Sequence, residues 1–292
     1  MIVFLTTGDH DYTHRSLIGA DPDLEIRVID YAKILELRQV PRATYVFTDL
    51  DRLGTEPLSM SAHLYIQLRD HGVRVLNNPA RVLSRFGLLR MLLLKGINRF
   101  NAYRVEEGLM PRSWPVFLRI DGTHESPLPE LYQNANDLEL GIEAAMARGL
   151  PRSRLLIVEF MAEQVRPGLY RKLSCFRVGA VSVAHTCVHD TDWVAKHGKL
   201  GITPPDLYED ELRIVRDNPY GAAVAQAFEI AGIEYGRIDF GVVGGEVQIY
   251  EINTNPNVKL DSEHPSPVRM ESGRLFARNL LAALKAIDSP PS

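Results

Sequence analysis

Short apolar runs alternate with stretches of helical spacing along this chain, most plainly in the first 76 residues. Residues 2–5 and 73–76 are continuous apolar runs, while 24–29 and 44–47 alternate or carry β-branched and aromatic side chains, so four strands are predicted. Between the last two, a helix is expected to start near Thr55-Glu56-Pro57 and end at Gly72, with Leu58, Ala62, Tyr65 and Leu68 on one side. Strands separated by helices imply a small parallel sheet. Asn77-Asn78-Pro79 is turn chemistry and marks its end.

Downstream the pattern predicts a helix over 81–94, with Val82, Phe86, Leu89 and Leu93 on one stripe and Gly96 beyond its end. A strand over 114–119 follows, then a helix over 137–148 with Asn136 as cap. Residues 155–160 form an apolar strand interrupted by Glu159, and two more strands are expected over 173–178 and 180–188. A helix capped by Asn218, with Pro219 at its first position and Gly232 past its end, turns Val224, Ala227, Phe228 and Ala231 inward. An amphipathic helix over 272–287 closes the chain.

The chemistry is concentrated in Arg237-Ile-Asp239-Phe and Tyr250-Glu251-Ile-Asn253-Thr-Asn-Pro256, two β-rich runs flanking Gly244-Gly245. A strand repeats its facing every two residues, so Glu251 and Asn253 point the same way. A two-residue loop pairs Val243 with Glu246 and leaves Asp239 opposite Tyr250, its carboxylate on the other face from Glu251. A three-residue loop with a bulge at the glycines sets Asp239 opposite Glu251. In that second register three hard oxygen ligands converge, a set that suits Mg²⁺. The alternative is an ordinary hairpin with solvated acids, but two carboxylates among Ile, Phe, Val and Tyr are costly to bury without a cation.

These residues resemble the metal-binding end of ATP-grasp proteins such as D-alanine–D-alanine ligase, glutathione synthetase and the ribosomal-protein glutamate ligases. The match is Asp239, Glu251, Asn253 and Pro256, and the resemblance extends over roughly 75–285, weakening upstream. It implies a fold of mixed α/β and α+β type: two α+β subdomains sandwiching ATP, preceded by a small parallel-sheet domain. The expected divisions are 1–78, 79–156 and 157–292. By the same resemblance Asp239, Glu251 and Asn253 hold one or two Mg²⁺ ions, with Mn²⁺ a substitute. Glu159, Phe160 and Met161 stand where the adenine-reading hinge is expected, with the Glu159 side chain facing base or ribose.

The chain departs from the resemblance in three places. Arg85 and Arg119 occupy the positions of two phosphate-binding lysines, keeping the charge but presenting a bulkier fork. The loop 121–129, expected to close over the phosphates as a mobile lid, has a single glycine, Gly122, where relatives are glycine-rich. Where relatives place an acid for the ribose, this chain has Arg171-Lys172. Adjacent strand residues face opposite ways, so one of the two, taken here as Lys172, is expected at the site. Arg177 and Lys196 are further cations for an anionic substrate. His185, His189 and Asp190 lack metal spacing, and hydrogen-bonded structural histidines are expected.

Composition narrows the picture further. The chain has 292 residues, 45% hydrophobic content and a formal net charge of −4, with no long basic run, which argues against a nucleic-acid surface. No membrane-spanning stretch or leader is evident, and Cys175 and Cys187 lack metal spacing, so a reduced cytoplasmic setting is expected. The implied activity is that of an ATP-dependent ligase. A substrate carboxylate attacks the γ-phosphate, and an amine or thiol captures the acyl phosphate, releasing ADP and phosphate. Arg119, Asp239 and Glu251 are the expected catalytic residues, and Arg85, Arg119, Glu159, Phe160, Met161 and Lys172 the nucleotide-binding ones. The partners are small-molecule or peptide carboxylates and amines, with no nucleic acid or membrane, and a homodimer is left open. A nucleotide-binding protein without ligase activity and a kinase-like phosphotransferase are the alternatives. For the acceptor side, Asp9, His10, Asp49 and Asp51 lie near predicted strand ends.

Overall fold

The computed structural model describes residues 1–122, 126–196, 198–260 and 263–288. Four parallel strands, β1 (Ile2–Thr6), β2 (Ile26–Asp30), β3 (Thr44–Phe47) and β4 (Val75–Leu76), form the N-terminal sheet in the order β2-β1-β3-β4. Helices α1 (Tyr31–Glu36) and α2 (Thr55–Asp70) connect them. One face of this sheet does not end in solvent. Ile2, Phe4 and Val46 share a core with Phe176, Tyr235 and the closing helix residues Phe276, Leu280 and Leu284. Asn77, in the left-handed region at φ 64°, clips this junction: its side chain donates to the carbonyls of Phe47 and Tyr235 and accepts from the N–H of Glu234 and Tyr235.

The middle of the chain gives α3 (Arg85–Leu94), β5 (Ala102–Arg104), β6 (Val116–Ile120), α4 (Ala135–Ala147) and β7 (Leu155–Glu159). These strands make an antiparallel sheet in the order β5-β7-β6. Helix α3 begins at Arg85, not 81, because Ser84 caps it by accepting from the Gly87 N–H; Pro79–Arg81 is a single 3₁₀ turn. Asn134, not Asn136, caps α4, its side chain reaching the Asp137 N–H three residues on.

The last part contributes β8 (Gln164–Arg166), β9 (Leu169–Val178), β10 (Val181–Ala184), β11 (Val188–Asp190), α5 (Pro205–Asp217), α6 (Gly221–Ala231), β12 (Tyr235–Val243), β13 (Glu246–Asn253) and α7 (Pro267–Asp288). The sheet runs β10-β9-β12-β13, with β8 and β11 also paired to β9. Asn218 is not the cap of α6: it ends α5 in the left-handed region at φ 43°, with its N–H on the Ile214 carbonyl. Asn followed by Pro serves as a helix stop as well as a start, and the sequence alone does not separate the two. Helices α3 and α6 cover one face of this sheet through Leu88, Leu92, Val224, Phe228, Ile238 and Ile249. The other face carries the charged residues. No helix among the described residues is long and apolar enough to cross a membrane.

Candidate active site

Asp239 pairs with Glu251 across β12 and β13. The register is the expected one at the carboxylates, but its origin is not where the sequence placed it. Gly244 and Gly245, at φ 56° and 81°, form a two-residue loop that pairs Val243 with Glu246. The ladder then runs regularly to Phe240–Ile249, and the extra residue is Tyr250, a bulge in mid-strand. Side chains pack this bulge in place. The Tyr250 hydroxyl donates to the Met161 carbonyl at 2.8 Å, and a Cβ on Gly241 would lie 2.1 Å from that hydroxyl, so glycine is required opposite it.

Each carboxylate is held by cations. Glu251 accepts from Arg85 at 2.6 Å and from Arg119 at 3.0 Å. Asp239 accepts from Arg237 at 2.8 Å and lies 3.3 Å from the Lys172 ammonium. The two carboxylates therefore do not meet as an uncompensated pair. Burial alone would raise the Glu251 carboxyl, but Arg119, Arg85, Lys172 and Arg237 outweigh it and bring it down to about 2. Burial also lowers the Arg119 guanidinium, to about 10, against the opposing pull of Glu251. Arg237 was visible two residues before Asp239 on the same strand face, yet its role was missed; facing every second residue was the signal.

Two carboxylates across one rung of the ladder are a donor set that fits a hard divalent cation. Asn253 departs from the expectation in one respect. It does not line the cleft with the other two, and its Oδ1 accepts the Asn255 N–H at 2.8 Å in the turn that leaves β13. Among the described residues no group of three or more His, Cys, Asp or Glu stands as a metal centre on its own.

A cleft open to solvent lies between the middle sheet and the β9–β13 sheet. Arg85, Arg119, Glu159, Phe160, Met161, Lys172, Asp239 and Glu251 all line it. The Glu159 side chain is nevertheless unavailable to a ligand. It is buried, and accepts from the N–H groups of Asn101, Arg112 and Ser113 and from the Tyr103 hydroxyl, at 2.8–3.1 Å. Four donors fix it as a latch between β7 and the segments 101–103 and 112–113. What the 159–161 segment offers the cleft is the Phe160 and Met161 side chains, the N–H groups of Glu159 and Phe160 being bonded to the Asn101 and Pro115 carbonyls.

The apolar wall was only partly foreseen. The Trp193 ring lies 4.8 Å from Phe117 and meets Phe160 edge-on at 5.5 Å, with Phe100 and Tyr250 also lining the space. Trp193 stands in the loop after β11, outside any periodic pattern. Lys172 faces the carboxylates; Arg171 lines the cleft as well, against the expectation that only one of the two would, and is bound there to Asp210 of α5 at 2.5 Å. Lys196 lines the mouth; Arg177 does not, being held by Glu229 and the Gly179 carbonyl. Of the expected lid, residues 123–125 lie outside the described residues, while Ser126 and Pro127 line the cleft and Leu128 bonds the Leu118 carbonyl.

On the acceptor side, Asp49 at φ 52° accepts from the Thr7 N–H and hydroxyl at 3.0 and 2.8 Å, and His10 bonds the same hydroxyl. Asp51 is exposed, and the Asp9 side chain lies outside the description. Thr13 donates to Asn255 Oδ1 at 2.6 Å, so the 3₁₀ segment that follows β1, Gly8–Leu17, is tied to the loop after Asn253. His185 is structural as expected, bonded to Ser174, and burial lowers it to about 3. Burial, with Arg171 and Arg269 nearby, lowers His189 to about 4, and its Nε2 has no hydrogen-bond partner among the described residues.

No protein-family model matches the sequence, and no curated protein sequence does. Solved structures do match. D-alanine–D-alanine ligase from Bacillus anthracis is 11% identical, with a TM-score of 0.57 over 98% of this chain and 96% of that one. The same enzyme complexed with ATP is 13% identical, with a TM-score of 0.57 over 98% of each chain. The D-alanine–D-alanine ligase from Coxiella burnetii is 14% identical, with a TM-score of 0.55 over 98% of this chain and 94% of that one. The chain has the ATP-grasp fold. The likeness takes in the N-terminal sheet as well, where the sequence resemblance had faded. At 11–14% identity what is shared within the ATP-grasp fold is the path of the backbone, and the chemistry rests on the cleft's own residues.

Proposed function

We propose that the protein is an ATP- and Mg²⁺-dependent ligase that activates a carboxylate as an acyl phosphate and passes it to an amine or thiol, releasing ADP and phosphate. The observation that carries this reading is the meeting, in one cleft, of the Asp239–Glu251 rung with the guanidinium groups of Arg85 and Arg119. The apolar wall of Phe117, Phe160, Met161 and Trp193 takes the adenine, and the Phe160 carbonyl and Met161 N–H read its edge. Arg119, Arg85 and Lys172 bind the phosphates and offset charge on the transferring phosphoryl group. Asp239 and Glu251 would hold the metal, which would supply further charge neutralisation, whereas Asn253 stays outside the cleft with its Oδ1 on the Asn255 N–H. The rest of the work is orientation: the Tyr250 bulge aims Glu251 at the cleft, and Arg237 fixes Asp239. No protein nucleophile is needed.

We divide the chain, on this reading, at 78 and at the end of β7, since Leu155–Glu159 belongs to the middle sheet. One observation favours a second reading, a nucleotide-binding protein without ligase activity. Both phosphate-binding positions are arginines, and both hold Glu251. Release of ADP with each of a panel of carboxylates separates the two. A ligase releases it only with its acceptor, and a binder releases none while still taking up Mg-ATP.

A further inference from the structure

We propose that the cleft takes up a polyphosphate anion before, and without, a divalent cation, and that Glu251 is yielded to a metal only after phosphate oxygens have replaced it on Arg85 and Arg119. This order of binding rests on the nucleotide reading above and adds to it which ligand enters first.

The charge balance of the cleft is the basis. Asp239 and Glu251 contribute two negative charges. Arg85, Arg119, Lys172 and Arg237 each lie within 3.3 Å of one of them, so around this rung, among the described residues, four positive charges stand against two. Of the other charged residues lining the cleft, Glu159 is turned to its own four donors and Arg171 is paired with Asp210. Lys196 at the mouth adds a fifth. A bare divalent cation entering here meets a surplus of positive charge, with Glu251 Oε2 and both Asp239 oxygens already engaged. A polyphosphate meets the reverse: each phosphate oxygen bound to a guanidinium competes with Glu251 and adds negative charge that then draws in the metal. Arg119 is prepared for such a ligand, because its Nε is buried and has no hydrogen-bond partner among the described residues. Its Nη2 is on Glu251, so the guanidinium is held at one corner while Nε has no acceptor among the described residues.

Titration calorimetry on the whole protein tests this with four probes: ATP in EDTA, tripolyphosphate in EDTA, Mg²⁺ alone, and Mg-ATP. ATP in EDTA is expected to bind within about ten-fold of Mg-ATP, and Mg²⁺ alone to give no saturable heat. Saturable binding of Mg²⁺ alone overturns the proposal. So does loss of ATP binding by about a hundred-fold or more in EDTA while Mg-ATP binds. If ATP binds in neither form, the nucleotide reading fails, and tripolyphosphate in EDTA then decides this inference separately: binding sustains it and no binding ends it. Glu251→Gln gives a second readout. Removal of the competing carboxylate should tighten ATP in EDTA by about ten-fold while weakening Mg-ATP. Weaker ATP binding in EDTA, in a variant that is folded at the assay temperature, contradicts it.

Discussion

Asp239 stands directly opposite Glu251 although only Gly244 and Gly245 close the hairpin between them. A regular ladder from that turn would pair Asp239 with Tyr250 and send the two carboxylates to opposite faces. Tyr250 absorbs the extra residue, and its ring and hydroxyl are fixed by Phe100 and the Met161 carbonyl. The bulge thus links the carboxylate rung to the 159–161 segment on the opposite wall.

Gly241→Ala tests that link. A methyl group there runs into the Tyr250 hydroxyl at 2.1 Å and pushes the ring off Met161. Denaturant unfolding should show a loss of about 1–3 kcal/mol, the usual range for overpacking. Mg-ATP affinity should fall with it. A variant as stable as wild type would mean that the bulge does not depend on this packing.

Arg119→Ala should weaken ATP binding by about 10–100-fold, the loss of one charge-assisted contact, and leave adenosine binding nearly unchanged. Competition titrations with both ligands measure the difference. Equal losses for ATP and adenosine would remove Arg119 from the phosphate site.

Glu159→Gln separates latch from ligand. Its carboxylate satisfies four donors, so the amide should cost about 2–4 kcal/mol of stability. Preference for ATP over other nucleoside triphosphates should not change. A shift in base preference without a loss of stability would return Glu159 to the adenine site.

The acid limb of stability follows from Glu251. Its carboxyl is held at about 2, below the ordinary 4.5, so the folded state binds its proton less tightly than the unfolded chain. The contribution is fully present above about pH 4.5 and is lost as pH falls through about 2. Glu251→Gln should therefore unfold with a shallower pH dependence than wild type in that window. Parallel acid limbs for the two proteins would show that the cations do not hold Glu251 in solution.

Much of the site was legible in the sequence because strand facing and residue type together restrict it. Asp239, Glu251, Arg85, Arg119 and Lys172 come together as the pattern implied. The bulge was placed at the glycines because they are the local irregularity; Tyr250 breaks the ladder only through contacts made far along the chain. Glu159 was misread for a related reason, since its four donors come from residues 101–113. Trp193 sits in a loop whose position nothing periodic determines. Helix α5 went unread because Asn218-Pro219 was assigned to the start of the next helix.

The account stands most directly on what becomes of ATP when a carboxylate is supplied. Protein, Mg-ATP and hydroxylamine are incubated with each of a panel of amino acids, peptides and organic acids, and nucleotide products and hydroxamate are measured together. ADP, phosphate and hydroxamate should rise in equal amounts, only with the true acceptor, and Glu251→Gln should abolish all three. AMP with pyrophosphate, or no ADP with any acceptor despite saturable Mg-ATP binding, would contradict it.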